Sequence, residues 1–99
     1  MKTMEEFVRI IVVDGGVMGL EVRLPDAPPL ILVRGRSGFV MCGYLDIGVA
    51  EKLGLKAARV TGVSCVRDLL EKEIAEATSR AREAGIKEGV KVKDVIDKL

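Results

Sequence analysis

Apolar positions in the first half of the chain recur at every second residue. From Met18 to Leu24, the residues Met18, Leu20, Val22 and Leu24 alternate with Gly19, Glu21 and Arg23, the period of a strand with one face on a core and the other in water. This pattern predicts that the apolar set faces the core. Upstream, Phe7 to Val13 is apolar on both faces apart from Arg9, as expected of a strand buried from two sides. Asp14-Gly15-Gly16 supplies turn residues between the two, which predicts a hairpin.

The segment Pro25-Asp26-Ala27-Pro28-Pro29 excludes a central strand, because each proline lacks an N–H and restricts the residue before it. Leu30 to Val33 is a short apolar run, Arg34-Gly35-Arg36-Ser37-Gly38 turns the chain, and Phe39 to Tyr44 returns as a fourth strand, giving a second hairpin. From Asp46 onward the period becomes 3.6. Asp46 is placed to cap a two-turn helix carrying Ile47, Ala50 and Leu53 inward, with Gly54 as its end. Ala57 to Val63 reads as a fifth strand, and Ser64 is placed to cap a helix with Val66, Leu69 and Leu70 inside. A longer helix is predicted from Lys72 to Ala84, with Ile74, Ala77 and Ala81 on one face, Glu76 and Arg80 spaced for an ion pair, and Gly85 as terminator. Val92, Val95, Ile96 and Leu99 mark a last helix. The predicted fold class is α+β: a mixed, mainly antiparallel sheet of about five strands, two N-terminal hairpins plus one later strand, with three to four helices packed on it. One domain spanning residues 1–99 is expected.

Composition adds one point to this picture. The chain is 48% hydrophobic with a mean hydropathy of +0.26, yet its only aromatic residues are Phe7, Phe39 and Tyr44. A domain of this size buries only about two-thirds of its unfolded surface, so the aliphatic excess predicts a homo-oligomer.

Charge removes other partners. The 16 basic and 15 acidic residues give a net charge of +1 and are interspersed, whereas phosphate-driven binding needs a concentrated basic patch; no nucleic-acid partner is expected. No apolar run approaches the ~20 residues that span a bilayer, and Met1-Lys2-Thr3-Met4-Glu5-Glu6 is acidic where a signal peptide is not. No membrane partner is expected, and a cytoplasmic location is.

The absent residue types narrow the chemistry. With no histidine in the chain, a Ser-His-Asp triad, a Cys-His dyad and a His-ligated metal are excluded. Cys42 and Cys65 have neither zinc-ribbon spacing nor the numbers of a disulfide framework; no metal and no cofactor are expected. Asn, Gln and Trp are missing as well, and 31% of residues are charged, a bias associated with thermophilic proteins. Because hyperthermophile cytoplasm tolerates disulfides, a Cys42–Cys65 bridge stays open.

Three stretches hold candidate chemistry. Asp14-Gly15-Gly16-Val17-Met18-Gly19 is glycine-rich, but the period-two pattern after it argues for a hairpin turn and not for the helix a dinucleotide site requires. Arg34-Gly35-Arg36-Ser37-Gly38 offers two guanidiniums and free backbone N–H groups, suited to a small anionic ligand or simply to a solvated turn. Gly38-Phe39-Val40-Met41-Cys42-Gly43-Tyr44-Leu45-Asp46 sets a thiol between a strand and a helix start. Amides there stabilise a thiolate, and a small buried thiol would produce the same pattern.

The last of these stretches, with Ala58-Arg59-Val60-Thr61-Gly62-Val63, the Asp68-Leu69-Leu70 helix and Ala84-Gly85-Ile86-Lys87-Glu88-Gly89-Val90, resembles the YunC-like proteins of bacteria and archaea, domain of unknown function 1805. The resemblance implies a compact α+β fold and no assigned reaction, substrate or cofactor. Its motif falls on Met41, Cys42, Gly43, Leu45, Asp46, Arg59, Gly62 and Val63, while Arg34, Arg36 and Cys65 lie outside it. Cys42 is thereby the candidate catalytic residue, and Met41, Gly43, Asp46, Arg59 and Gly62 are the candidate ligand-binding residues. The leading expectation is a thermostable oligomeric binding or assembly module. The alternative is a small-molecule enzyme or redox protein in which Cys42 is the reactive thiol, Gly43 and nearby amides hold negative charge, Arg59 lowers the thiol pKa and Asp46 orients a ligand or caps the helix.

Overall fold

Residues 7–99 are described by a computed structural model; the acidic Met1–Glu6 segment lies outside them. Six strands form a sheet in sequence order: β1 (Val8–Asp14), β2 (Val17–Val22), β3 (Leu30–Arg34), β4 (Phe39–Met41), β5 (Ala57–Arg59) and β6 (Glu76–Ala77). All neighbours are antiparallel except β4 and β5, which are parallel and joined through α1 (Ile47–Lys52). Two further helices are α2 (Val66–Glu71) and α3 (Ser79–Glu83), and the chain ends in 3-10 turns at Val92–Asp94 and Ile96–Lys98. The mixed, mainly antiparallel α+β architecture is the predicted one, with a sixth strand added.

Both hairpins form where the turn chemistry put them. Gly15 and Gly16 have φ of +50° and +88°, the left-handed pair a two-residue hairpin needs and glycine supplies without strain.

The register gives the sheet two faces, because residues directly opposite one another share a face. One row runs Ile11, Gly19, Val33, Val40, Ala58 and Ala77. Val33, Val40 and Ala58 of this row and Ile31, opposite Glu21 on the same face, are fully buried, and they join Val66 and Leu69 of α2 and Ile86, Val92 and Leu99 of the C-terminal segment in a single core. The other face carries Ile10, Leu20, Leu32 and Met41 in one row and Val12, Met18, Arg34 and Phe39 in the next. It is open: Ile10 is 67% exposed, Val12 78% and Met18 43%.

This arrangement corrects the face assignment for β2. Its apolar residues Met18, Leu20 and Val22 point away from the core, and the side that read as wet is the covered one. Two contacts fix this orientation. A Cβ added to Gly19 would come within 2.7 Å of both γ-methyls of Val66, so only glycine lets α2 approach. Glu21 accepts a 2.7 Å hydrogen bond from the Val66 N–H at the start of α2 while its other oxygen lies 3.3 Å from Arg9; a carboxylate at a helix start is favourable.

The predicted helix from Lys72 to Ala84 is the larger correction. Lys72 is extended, Glu73 bridges to Lys91, the Ala75 N–H bonds to the Arg59 carbonyl, and Glu76–Ala77 pairs with β5 before Thr78 starts α3. Ile74, Ala77 and Ala81 are buried, but from extended chain, β6 and α3 in turn and not from one face of a continuous helix. The unpaired edge of β5 offers backbone partners that a marginal isolated helix cannot match. Glu76 accordingly pairs with Arg59 and not with Arg80. Cys65, one residue beyond the expected Ser64, caps α2, its Sγ accepting from the Asp68 N–H at 3.4 Å. The last predicted helix is the pair of 3-10 turns, with Val92, Val95 and Leu99 buried.

Candidate functional site

The motif segment leaves β4, turns, and enters α1. Met41 ends the strand on the open face. Cys42 follows on the core side with 4% exposure. Its N–H bonds to the Ile31 carbonyl at 3.0 Å, its Sγ accepts from the Ile31 N–H at 3.4 Å, and the thiol lies 4.0 Å from the Pro29 carbonyl. The sulfur therefore extends the β3–β4 ladder by one residue past the last regular pair and fills a gap in the core.

Asp46 is the cap its position predicted, with Oδ1 accepting from the Val49 N–H at 3.1 Å. Gly43 is exposed, and a Cβ there would meet open space. Gly62 has φ +69° in the turn between β5 and α2, a conformation that favours glycine. Arg59 lies across from Met41 and is paired with Glu76. The sheet thus separates Arg59 from Cys42: Met41 and Arg59 are on the open face and Cys42 is in the core. The geometry does not bring the guanidinium to the thiol, and the residues expected to work together are distributed over two faces and two turns. Both cysteines are free thiols, so the open disulfide alternative is closed. Among the described residues no three Cys, Asp or Glu side chains gather as metal ligands would.

A different constellation lies at the β3–β4 corner of the open face. A depression of about 410 Å³ has Leu32, Phe39, Met41 and Leu55 among its lining and Arg34, Arg36, Lys56 and Arg80 around it. The Arg34–Gly38 turn was legible as a basic turn. Lys56 and Arg80 were not, because α1 and the β6–α3 switch bring them there from 20 and 44 residues beyond Arg36. Thr78 was missed too. It is buried, and its hydroxyl donates to the Leu55 carbonyl at 2.6 Å and accepts from the N–H groups of Ala57 and Ala81 at 3.2 Å each, which positions α3 and Arg80.

Residues 41–99 match the family model described as "Domain of unknown function (DUF1805)". The chain belongs to this family. A DUF1805 relative, "Uncharacterized protein YunC" of Bacillus subtilis (strain 168), is 33% identical over 82 residues, which cover 79% of this chain and 80% of that protein. The crystal structure of the protein of unknown function TA1206 from Thermoplasma acidophilum superposes with a TM-score of 0.84 at 34% identity, covering 93% of this chain and 90% of that one. The DUF1805 match begins at Met41 and so leaves out β1, β2 and β3, the strands that contribute most of the open apolar face. Among the described residues no helix is long and apolar enough to cross a membrane.

Proposed function

We propose that this DUF1805 protein is a thermostable oligomeric binding or assembly module, and that the open face of its sheet packs on a second copy of the chain. One observation supports the reading above the others. The strand pattern that normally buries its apolar side puts Met18, Leu20 and Val22 outward, beside Ile10 and Val12 of β1, while Glu21 and Gly19 take the covered side. A sheet wet on one face shows the opposite alternation.

The patch is at the small end of what a self-interface buries. At about 4.8 Å between strands and about 3.3 Å per residue, four strands by five residues make roughly 20 × 17 Å. Both partners counted, burial comes to roughly 700 Å² flat and roughly 1,000 Å² with side-chain relief, the threshold for an interface. The centre of the face is uncharged and Arg34 stands at one corner, so two copies related by a two-fold axis meet without like charges at the middle. Aligned sheets pack about 10 Å apart with apolar side chains interleaved.

The catalytic alternative has less support. A nucleophilic Cys42 needs solvent and a neighbouring cation, and this thiol is enclosed, with Arg59 on the far side of the sheet. Iodoacetamide is expected to label half-buried Cys65 before Cys42; rapid labelling of Cys42 at neutral pH would favour the enzyme.

Sedimentation equilibrium tests the leading reading. The wild type is expected to be a dimer at micromolar concentration, and Leu20→Asp a monomer with an unchanged far-UV spectrum. A monomeric wild type at several hundred micromolar overturns it.

A further inference from the structure

We infer that the depression at the β3–β4 corner is a binding site for a small organic phosphate, one that carries an apolar body beside its charged group. The site lies within one chain, but Leu32, Phe39 and Met41 also belong to the open face, so a second copy packed there and the ligand compete for the same floor.

Charge is the first observation. Arg34, Arg36, Lys56 and Arg80 line this depression and no Asp or Glu does, in a chain of 16 basic and 15 acidic residues. Among the described residues none of the four enters an ion pair. Where their donors are engaged, the partners are neutral: Arg34 Nε bonds to the Gly35 carbonyl at 3.3 Å, Arg80 to the Gly54 carbonyl at 3.1 Å, and Lys56 to Ser37 Oγ at 3.0 Å and the Lys98 carbonyl at 2.7 Å. These bonds hold Arg34, Lys56 and Arg80 in place without neutralising them; Arg36 and Lys56 also border the neighbouring depression that holds Asp14 and Asp97, so the least compensated charge lies on the Arg34 and Arg80 side. Cations gathered without counter-charge repel one another, and a dianion relieves that repulsion. Guanidiniums also present paired donors in the geometry phosphate oxygens accept.

Construction is the second. The cations come from three separate parts of the chain: the β3–β4 turn, the start of β5 and the first turn of α3. The structure fixes each approach. A Cβ on Gly38 would lie 2.7 Å from the Lys56 carbonyl and 2.7 Å from its Cδ, so the turn closes on Lys56 only with glycine there. Phe39 N–H then bonds to the Lys56 carbonyl at 3.1 Å, and Thr78 sets the start of α3.

The floor is the third. Leu32, Phe39 and Met41 are half-buried, and they give the depression an apolar base that inorganic phosphate has no use for. A volume of about 410 Å³ falls in the range of small-molecule sites, roughly 300–1,000 Å³. One end of the ligand therefore meets the cations and its apolar body lies on the β3–β4 surface.

Phenyl phosphate, inorganic phosphate and phenol, titrated by calorimetry and scored by thermal shift on the full chain at 50 mM salt, separate the contributions. Phenyl phosphate is expected to bind about tenfold or more tightly than inorganic phosphate, with phenol showing no saturable binding. Arg34→Gln with Arg80→Gln is expected to weaken phenyl phosphate at least tenfold while the unliganded Tm stays within a few degrees; should that pair not fold, Arg36→Gln alone is expected to weaken it about threefold or more. Raising salt to 300 mM is expected to weaken it as well. Absence of binding at 10 mM phenyl phosphate overturns the inference. So does equal affinity for phenyl phosphate and phenol, or an affinity that the Arg variants leave unchanged.

Discussion

The two faces of the sheet are built from nearly the same kinds of residue and end in opposite environments. On one, Ile31, Val33, Val40 and Ala58 are fully enclosed under α2 and the C-terminal turns. On the other, Ile10 and Val12 are largely in water, Leu20, Leu32 and Met41 are half-buried, and the β5 end is covered, where Ala57 is buried as α1 packs on that strand. Hydrophobicity does not separate them. What separates them is where the helices could come close: Gly19 gives α2 room at β2, and Glu21 supplies an acceptor for its first N–H. Covering one face is decided by backbone approach and hydrogen bonding, and the apolar residues of the other face are left open by the described residues.

Neighbouring substitutions on β3 test this contrast most severely. Ile31→Ala, on the closed face, is expected to lower unfolding stability in urea by about 2–5 kcal/mol, the cost of removing methyls from a packed interior. Leu32→Ala, one residue on and facing outward, is expected to cost under about 1 kcal/mol in dilute protein while weakening self-association. Equal costs at the two positions in the monomer would break the comparison.

A smaller effect is expected from Gly19→Ala. The new Cβ would lie 2.7 Å from both Val66 γ-methyls, and pushing α2 outward is expected to cost about 1–3 kcal/mol. Adding Val66→Ala makes room, so the double variant is expected to be less destabilised than the sum of the two single changes. Strict additivity would mean that Gly19 does not set the approach of α2.

The smallest effect lies away from both faces and serves as a control. Glu88 accepts from Arg82 at 3.2 and 2.8 Å. That hydrogen bond, then its backbone hydrogen bond, and then the Arg82 charge hold the carboxyl down at about 2 against an ordinary 4.5. A lowered carboxylate pKa stabilises the fold above the unfolded value, and the contribution is lost as pH falls from about 4.5 towards about 2. Both partners are exposed and screened, so the loss is small. Glu88→Gln is expected to flatten the Tm–pH curve slightly in that window and leave neutral-pH dimerisation untouched. A change in association produced by the substitution itself would tie the pair to the open face.

Much of the fold was legible because it rests on local chemistry. Gly15-Gly16 needs no partner to make a hairpin, the three prolines end the second strand wherever the rest of the chain lies, and Asp46 caps α1 from three residues away. The site was legible in pieces. The basic turn stood out, but Lys56 and Arg80 carry no mark of belonging to it, since nothing local to them points to Arg34. The Met-Cys-Gly motif drew attention to a thiol whose accessibility depends on residues from Pro29 to Ile31, more than ten positions away.

Period and turn chemistry by themselves determined that β1 to β4 are strands, and composition that the chain brings no histidine of its own to any site. Which side of β2 faces the core, and whether Lys72 to Ala77 is helix or strand, were decided only by tertiary structure. The reason is the same in both cases. Alternation fixes which residues share a face and propensity ranks local conformations, but neither records the Val66 methyls beside Gly19 or the unpaired edge of β5, and those long-range contacts set the outcome.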